Sequence, residues 1–355
     1  MISALREKCG REGFDLCDPI HTQWYNNLIV EEGHVAKGTL QKISAPPTIS
    51  DRSVDGAESN YNAVLIGNSK SIWPKFIAWL SSQYQQKLEN NVNGDNRSKE
   101  AILNQVLNDN PFDTFVTDTL SEVFRSWCSE DSEGNIATQL TSYEFYWSNG
   151  VHYKVNLNDC PTQTGEESAH TNNGDYHCYV SNEERSSILV SMQRAAKVTG
   201  NYWHDEEGTK LCVHPQFGTW KAFRAVVVFH KILKADEPEP LIPKAPPLCP
   251  CPVAAEEIQK AKEVMDYALK MSAHAGGGDN NTGYGGSGQQ NDLCTYLHNS
   301  VTSGSDWSKV SPTMRPWLQL RDCISVGRDD YKYCDNQLLY HYTKDTDILK
   351  RELTL

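Results

Sequence analysis

The chain has 355 residues, with 33 Lys+Arg against 46 Asp+Glu, a net charge of −13, and 38% hydrophobic and 10% aromatic residues. That length predicts two domains, or one with insertions, far above the size at which a core becomes marginal. Acidity without a dense Lys/Arg run excludes a nucleic-acid backbone or an anionic membrane as the main partner. A mean hydropathy of −0.58 and no apolar run near 18 residues exclude a transmembrane helix. The opening Met-Ile-Ser-Ala-Leu-Arg-Glu-Lys carries no readable secretory signal, so a cytoplasmic location is expected.

Along the chain, residues Leu5 to Leu28 read as helix around a Gly-containing break, and residues 37–60, rich in Gly, Ser, Pro and Asp, read as loop. The short apolar run Asn62 to Gly67 suits a buried strand. Ile72, Trp73, Phe76, Ile77, Trp79 and Leu80 then recur at helical spacing. Residues 86–100 are polar and are expected to be a surface insertion. Asn110-Pro111 predicts a helix start with proline in the first turn, followed by one apolar face of Phe112, Phe115, Val116, Leu120, Val123 and Phe124. Residues 129–139 read as polar loop.

Tyr143–Trp147 and Val151–Val155 flank Ser148-Asn-Gly150, a hairpin signal because Asn-Gly tolerates positive φ. Residues 160–175 read as loop. Ser181-Asn-Glu-Glu184 is expected to cap a helix through Ile188, Leu189, Met192 and Ala195. Phe223 to Phe229, β-branched and aromatic, is the clearest strand. Seven of 16 prolines fall between Pro238 and Pro252, a stiff connector. Val253 to Ser272 reads as helix with Ile258, Ala261, Met265, Ala268 and Leu269 on one side. Residues 274–291 are Gly/Asn/Gln low complexity; Gly283-Tyr-Gly-Gly286 and Gly288 follow no strand, so they read as disordered linker, not as a phosphate loop. The aromatic tail from Trp307 is expected to pack back on the core. Strands and helices without a βαβ metre indicate an α+β fold.

The eleven cysteines, at 9, 17, 128, 160, 178, 212, 249, 251, 294, 323 and 334, form no C-x-x-C pair and read as isolated thiols of a reducing compartment. Cys249-Pro-Cys251 is a metal or redox pair or simply two linker thiols. There is no nucleophile elbow, P-loop or H-E-x-x-H motif. Histidines such as His177 and His204 stand at no metal-ligand spacing, so no metal is expected and no catalytic residue is assigned. What stands out is Cys212-Val-His-Pro-Gln-Phe-Gly-Thr-Trp-Lys-Ala-Phe-Arg224, leading into an apolar strand. An arginine there is costly unless it meets an anion: Arg224 either grips a carboxylate or phosphate with its planar fork or closes an internal salt bridge.

This run resembles the signature of the cblC-type cobalamin-processing family, MMACHC, in which a Cys-Ile-His-Pro-Arg-Phe-Gly-Gly-Trp run leads into an Arg-bearing strand. Trp24-Tyr25-Asn26, Asn110-Pro-Phe-Asp113, Glu144 to His152, Gln193 to Gly200 and Arg321-Asp322 resemble further family segments, so the likeness spans nearly the whole chain, with insertions at 86–100, 156–180 and 273–300. It implies a nitroreductase-like mixed sheet with flanking helices: a cobalamin-binding core over 1–235, a Pro-rich connector over 236–252, and a C-terminal segment over 253–355 with a disordered linker at 273–300. It implies base-off binding of cobalamin and removal of its upper ligand. The ligand leaves reductively, as cyanocobalamin reductase with FAD or FMN and NADPH, or by attack of glutathione on alkylcobalamins, with the corrin leaving as Co(I).

By match, Arg224 and Arg321 resemble glutathione-contacting arginines, a third having only Lys350 or Arg351 nearby. Val190, Ser191, Met192, Gln193, Trp203, His204, Cys212 and Phe223 are the implied cobalamin contacts. A downstream cobalamin-trafficking protein and methionine synthase are the implied partners. Lys197 stands where the family has histidine, and Ser148 where it has aspartate. Two other readings remain: a non-catalytic cobalamin chaperone, and a flavin-dependent nitroreductase-like enzyme without cobalamin. Independently, no Asp-x-His-x-x-Gly string occurs, so no protein histidine is set up to replace the nucleotide on cobalt, and a weakly ligated cobalt accepts electrons more readily.

Overall fold

A computed structural model describes residues 2–46, 49–52, 58–92, 98–107, 110–129, 140–157, 186–187, 189–231, 245–275 and 307–353. The expected features at 130–139, 158–185 (with His177), 232–244 and 276–306 lie outside the described residues. Two compact units emerge: one of 1–68, 119–202 and 222–249, the other of 69–118, 203–221 and 250–355.

The first unit is built on a six-stranded antiparallel sheet. Its strands are β1 (Leu16–Ile20), β4 (Ala63–Asn68), β5 (Leu140–Trp147), β6 (Val151–Asn156), β7 (Ser186–Ser187) and β10 (Ala222–Lys231), in the order β1-β4-β10-β5-β6-β7. Helices and an antiparallel sheet make this an α+β protein. Central strands β4 and β10 carry unbroken apolar runs, Ala63–Ile66 and Ala225–Phe229, each residue 0% exposed, because both sheet faces are covered. On one face Phe124 and Trp127 of helix α5 (Pro111–Ser129) pack against Tyr143, Phe145 and Phe229, and helix α1 (Ile2–Arg11) joins them through Lys8 to Ser126. Strands β5 and β6 are joined by the hairpin predicted at Ser148-Asn-Gly150, with Gly150 at φ 83° and Tyr146 paired with His152. The other face carries helices α2 (Thr22–Glu31) and α6 (Met192–Lys197), which pack together.

The second unit is helical around a short ladder, β8 (Trp203–His204) with β9 (Cys212–Val213). Its helices α7 (Ala255–Ala275) and α8 (Arg315–Asp322) bury Ala261, Val264, Met265 and Leu320 against Val213. Helix α3 (Ile72–Val92) sets Phe76 edge-on to Phe112, at 5.0 Å between centroids, and beside Tyr340 of helix α10 (Asp335–Thr343). Helices α9 (Arg328–Tyr331) and α11 (Thr346–Glu352) complete this unit.

Several expectations are corrected. Leu5–Leu28 is helix, strand, helix: a turn at Glu12–Gly13 closes α1, and β1 carries Pro19, tolerated because β1 is the sheet's edge. Residues 37–60 include a hairpin, β2 (Ile49–Arg52) with β3 (Glu58–Tyr61). Much of 86–100 is helix: α3 continues to Val92, and α4 (Lys99–Val106) starts on a Ser98 cap that accepts from Ala101 N–H at 3.2 Å. Gln, Lys and Glu are good helix formers on an exposed face. Of the helix expected through Ile188, Leu189, Met192 and Ala195, Ile188 lies outside the described residues; Leu189 is 57% exposed and outside the helix, which begins at Met192 on a Ser191 cap, and Ser186–Ser187 is strand. Leu269, 51% exposed, lies off the buried Ala261–Met265–Ala268 stripe of α7.

Candidate functional site

The signature run spends most of its side chains on folding the second unit. His214 Nδ1 accepts the N–H groups of Gln216 and Phe217, at 3.0 and 3.3 Å, tightening the turn after Pro215. Phe217 meets the Tyr331 ring edge-on at 4.6 Å, and Gln216 donates to the Tyr331 hydroxyl. Gly218 and Gly327, at φ 56° and 65°, interlock: a Cβ on Gly218 would overlap the Val326 carbonyl, and one on Gly327 the Gln216 carbonyl. Only glycine combines that approach with positive φ. Thr219 Oγ1 donates to Arg321 O at 2.8 Å, and Arg321 Nε and Nη2 return two bonds to Thr219 O at 3.2 and 3.0 Å. The guanidinium carbon lies 4.8 Å from the buried Trp220 ring and 4.9 Å from the Tyr333 ring, so cation–π attraction adds to the clamp.

Past Trp220 the run changes character. Lys221, buried, donates from Nζ to Cys212 O. In the first unit, β10 shifts register against β4 between Phe223 and Ala225. Arg224 is the residue inside that bulge, and bulges commonly re-aim a side chain. Its Nε donates to Asn68 Oδ1 at 2.6 Å, and its carbonyl accepts from Ser148 N–H at 2.8 Å. Half-buried Phe223 meets the Tyr202 ring edge-on at 5.3 Å. Tyr202 in turn donates to buried Asp18 Oδ2 at 2.5 Å, whose other oxygen accepts from Asn201 at 2.8 Å.

The turn before α6 is held from three sides. Ser191 N–H donates to the Tyr25 hydroxyl at 3.1 Å, Gln41 N–H to Leu189 O at 3.1 Å, and Arg194 Nε to Glu32 Oε2 at 2.6 Å. Burial pushes the Tyr25 hydroxyl up to about 12, so it stays neutral and serves as a fixed acceptor. Val190 and Met192 are buried; Ser191 is half-buried and Gln193 exposed. Lys197 forms an ion pair with Glu32 at 3.8 Å.

The residues singled out in the sequence therefore fall into two sets. Val190 to Gln193, Phe223 and Arg224 belong to the first unit; Trp203, His204, Cys212 and Arg321 belong to the second. Within the second, Trp203 packs against the Val213 cluster, while His204 pairs with Cys212 across the ladder. Three positioning residues escaped the sequence reading. Tyr25 was visible only as part of a helical Trp-Tyr-Asn, while Asn68 and Lys221 gave no signal because their partners are distant in sequence or are backbone atoms.

One more polar site lies on the first unit's sheet. Buried Glu144 accepts from Ser44 Oγ and Tyr146 OH, each at 2.8 Å, and faces His152 at 3.3 Å, His230 at 2.9 Å and Lys154 at 3.8 Å. Burial opposes its charge, but the bonds from His152, His230, Tyr146 and Ser44 outweigh it and hold the carboxyl far below the usual range.

No protein-family model matches the chain, and no curated protein does. Among solved structures the chain is similar to the B12-trafficking protein CblC of C. elegans, a homologue of human MMACHC. Identity is 17% and the TM-score 0.39, over 91% of this chain and 96% of that one. Among the described residues, no helix is long and apolar enough to cross a membrane.

Proposed function

We propose that the chain binds cobalamin and removes its upper axial ligand, in the manner of the cblC-type family. The observation that carries this reading is the β10 bulge. The run resembling the family signature ends where a half-buried guanidinium is lifted out of strand register beside a half-buried phenylalanine, a place suited to an anion next to a flat apolar ring. In this reading Arg224 holds a carboxylate of glutathione while Asn68 fixes its Nε and so its orientation. Glutathione's thiolate then attacks the carbon on cobalt, and positioning of that thiolate is the protein's contribution. Ser191 and Gln193 contact the corrin from a turn that Tyr25 keeps rigid. Half-buried Phe223, next to Arg224 on the same strand, supplies a further corrin contact. Val190 and Met192, being buried, shape the turn from beneath. Arg321 takes part through the clamp that orders the signature run.

Decyanation requires electrons, which a flavin, FAD or FMN, reduced by NADPH supplies when bound. The product cobalamin would pass, in the cytoplasm, to a trafficking protein and to methionine synthase. Two titrations test the reading. Adding the protein to aquocobalamin is expected to give the base-off absorption shift, and anaerobic methylcobalamin with glutathione is expected to yield Co(I) and methylated glutathione. A shift without methyl transfer would leave a chaperone, and no shift at all would overturn the cobalamin reading.

A further inference from the structure

His204 and Cys212 stand directly opposite each other in the β8–β9 ladder, next to the pair Trp203 and Val213. Trp203 and Val213 enter the apolar cluster of α7 and α8. Side chains alternate along a strand, so Cys212 and His204 share the opposite face, turned away from that cluster. Opposed residues of an antiparallel pair hold their Cβ atoms about 4.5–5.5 Å apart, which brings a thiol within reach of an imidazole nitrogen. Cys212 keeps 8% of its surface exposed and His204 is half-buried. Lys221 adds a buried ammonium on the carbonyl of Cys212 itself.

Asp205 follows His204, and its carboxylate is turned into its own hairpin, accepting Gly208 N–H at 3.2 Å and Thr209 N–H at 2.8 Å. Burial works against that carboxylate, yet these bonds and the nearby Lys262 keep it ionised below its ordinary range. It is occupied by the turn, and the Lys221 ammonium is occupied by the backbone carbonyl of Cys212. A thiol opposite an imidazole is a setting in which a cysteine becomes nucleophilic.

We propose that Cys212 and His204 form a thiol–imidazole pair that exchanges with small disulfides of the glutathione-disulfide class. His204 accepts the thiol proton. The Cys212 sulfur attacks one sulfur of the disulfide, a new S–S bond forms as the old one breaks, and the departing thiolate takes the proton from His204. Cys212 is oxidised to a mixed disulfide, and the departing half of the disulfide is reduced to a thiol, so no other oxidant is needed. A second low-mass thiol reverses the step. The inference does not rest on the cobalamin reading, and its test contains no cobalamin.

The reduced, full-length protein is mixed with glutathione disulfide at neutral pH, and adducts are mapped to individual cysteines over time by peptide mass spectrometry. Exposed Cys251 serves as the internal comparator for an ordinary accessible thiol. Cys212 is expected to be modified about tenfold faster than Cys251, with His204→Gln lowering the Cys212 rate about a hundredfold and leaving Cys251 unchanged, the scale of a lost acid–base partner. Dithiothreitol should remove the adduct. Modification of Cys212 no faster than Cys251 in the unaltered protein would overturn the proposal, whatever the folding of the variant. So would a Cys212 rate indifferent to His204→Gln in a variant with an unchanged circular dichroism spectrum.

Discussion

Arg321 and Arg224 look alike in the sequence, each an arginine set among apolar residues, and the structure treats them differently. Arg321 directs Nε and Nη2 at the Thr219 carbonyl, Nη2 also reaching the Lys221 carbonyl at 3.4 Å, and lies between the rings of Trp220 and Tyr333. Arg224 rides on a strand bulge with Nε bound to the side-chain amide of Asn68. The difference teaches that an apolar context shows only that a guanidinium needs partners. Whether those partners are the protein's own carbonyls or an incoming anion depends on backbone geometry that residue type does not encode.

The comparison is broken most severely by removing the clamp. Arg321→Ala leaves Thr219 O without two donors and vacates the space between two rings, so it should cost about 3 kcal/mol of stability. Gly218→Ala should cost at least as much, because the added Cβ meets the Val326 carbonyl at a positive φ. Denaturant unfolding measures both, and an unfolding midpoint unchanged by either would show that the interlocked turns do not hold the second unit together.

Arg224→Lys sharpens the other side. Lysine keeps the charge and loses the planar fork, so stability should change by less than about 1 kcal/mol. Cobalamin binding should persist while the glutathione concentration needed for dealkylation rises about tenfold, the worth of one charge-assisted hydrogen bond. Equal glutathione dependence in both proteins would remove Arg224 from the anion site.

The smallest effect concerns a charge satisfied entirely from within. Glu144 has its carboxyl lowered from an ordinary value of 4.5 by donors from Ser44, Tyr146, His152 and His230. A lowered carboxyl binds its proton more readily in the unfolded chain, so its stabilisation is present above pH 4.5 and declines as the pH falls below it. Unfolding free energy measured from pH 6 to pH 3 should therefore fall less steeply in Glu144→Gln than in the unaltered protein. Parallel curves would mean that the carboxylate is not held by these donors.

Local signals in the sequence identified the elements whose cause is local. The β-branched run before Phe229, the Asn-Gly hairpin and the proline at the start of α5 follow from propensity and turn chemistry. Elements whose cause is distant were misread. Strand β1 looked helical because only pairing of Leu16 with Gly67 and Ile20 with Ala63 makes it a strand. The α6 helix was placed too early because Ser191 caps it while Tyr25, far away in sequence, holds the same residue's N–H. Of the candidate site, the block from Cys212 to Arg224 was visible as an unusual string, but the division of its labour was not.

Composition and patterning by themselves determined an acidic α+β chain with a buried central strand and an arginine at that strand's start, since charge balance and short unbroken apolar runs are properties of the string. Tertiary structure alone decided that His214 to Trp220 fold against the Arg321 to Tyr331 segment, that Arg224 leaves the ladder at a bulge, and that His204 meets Cys212. Each of these is a pairing between residues separated along the chain, and its free energy exists only once the backbone has brought the two partners together.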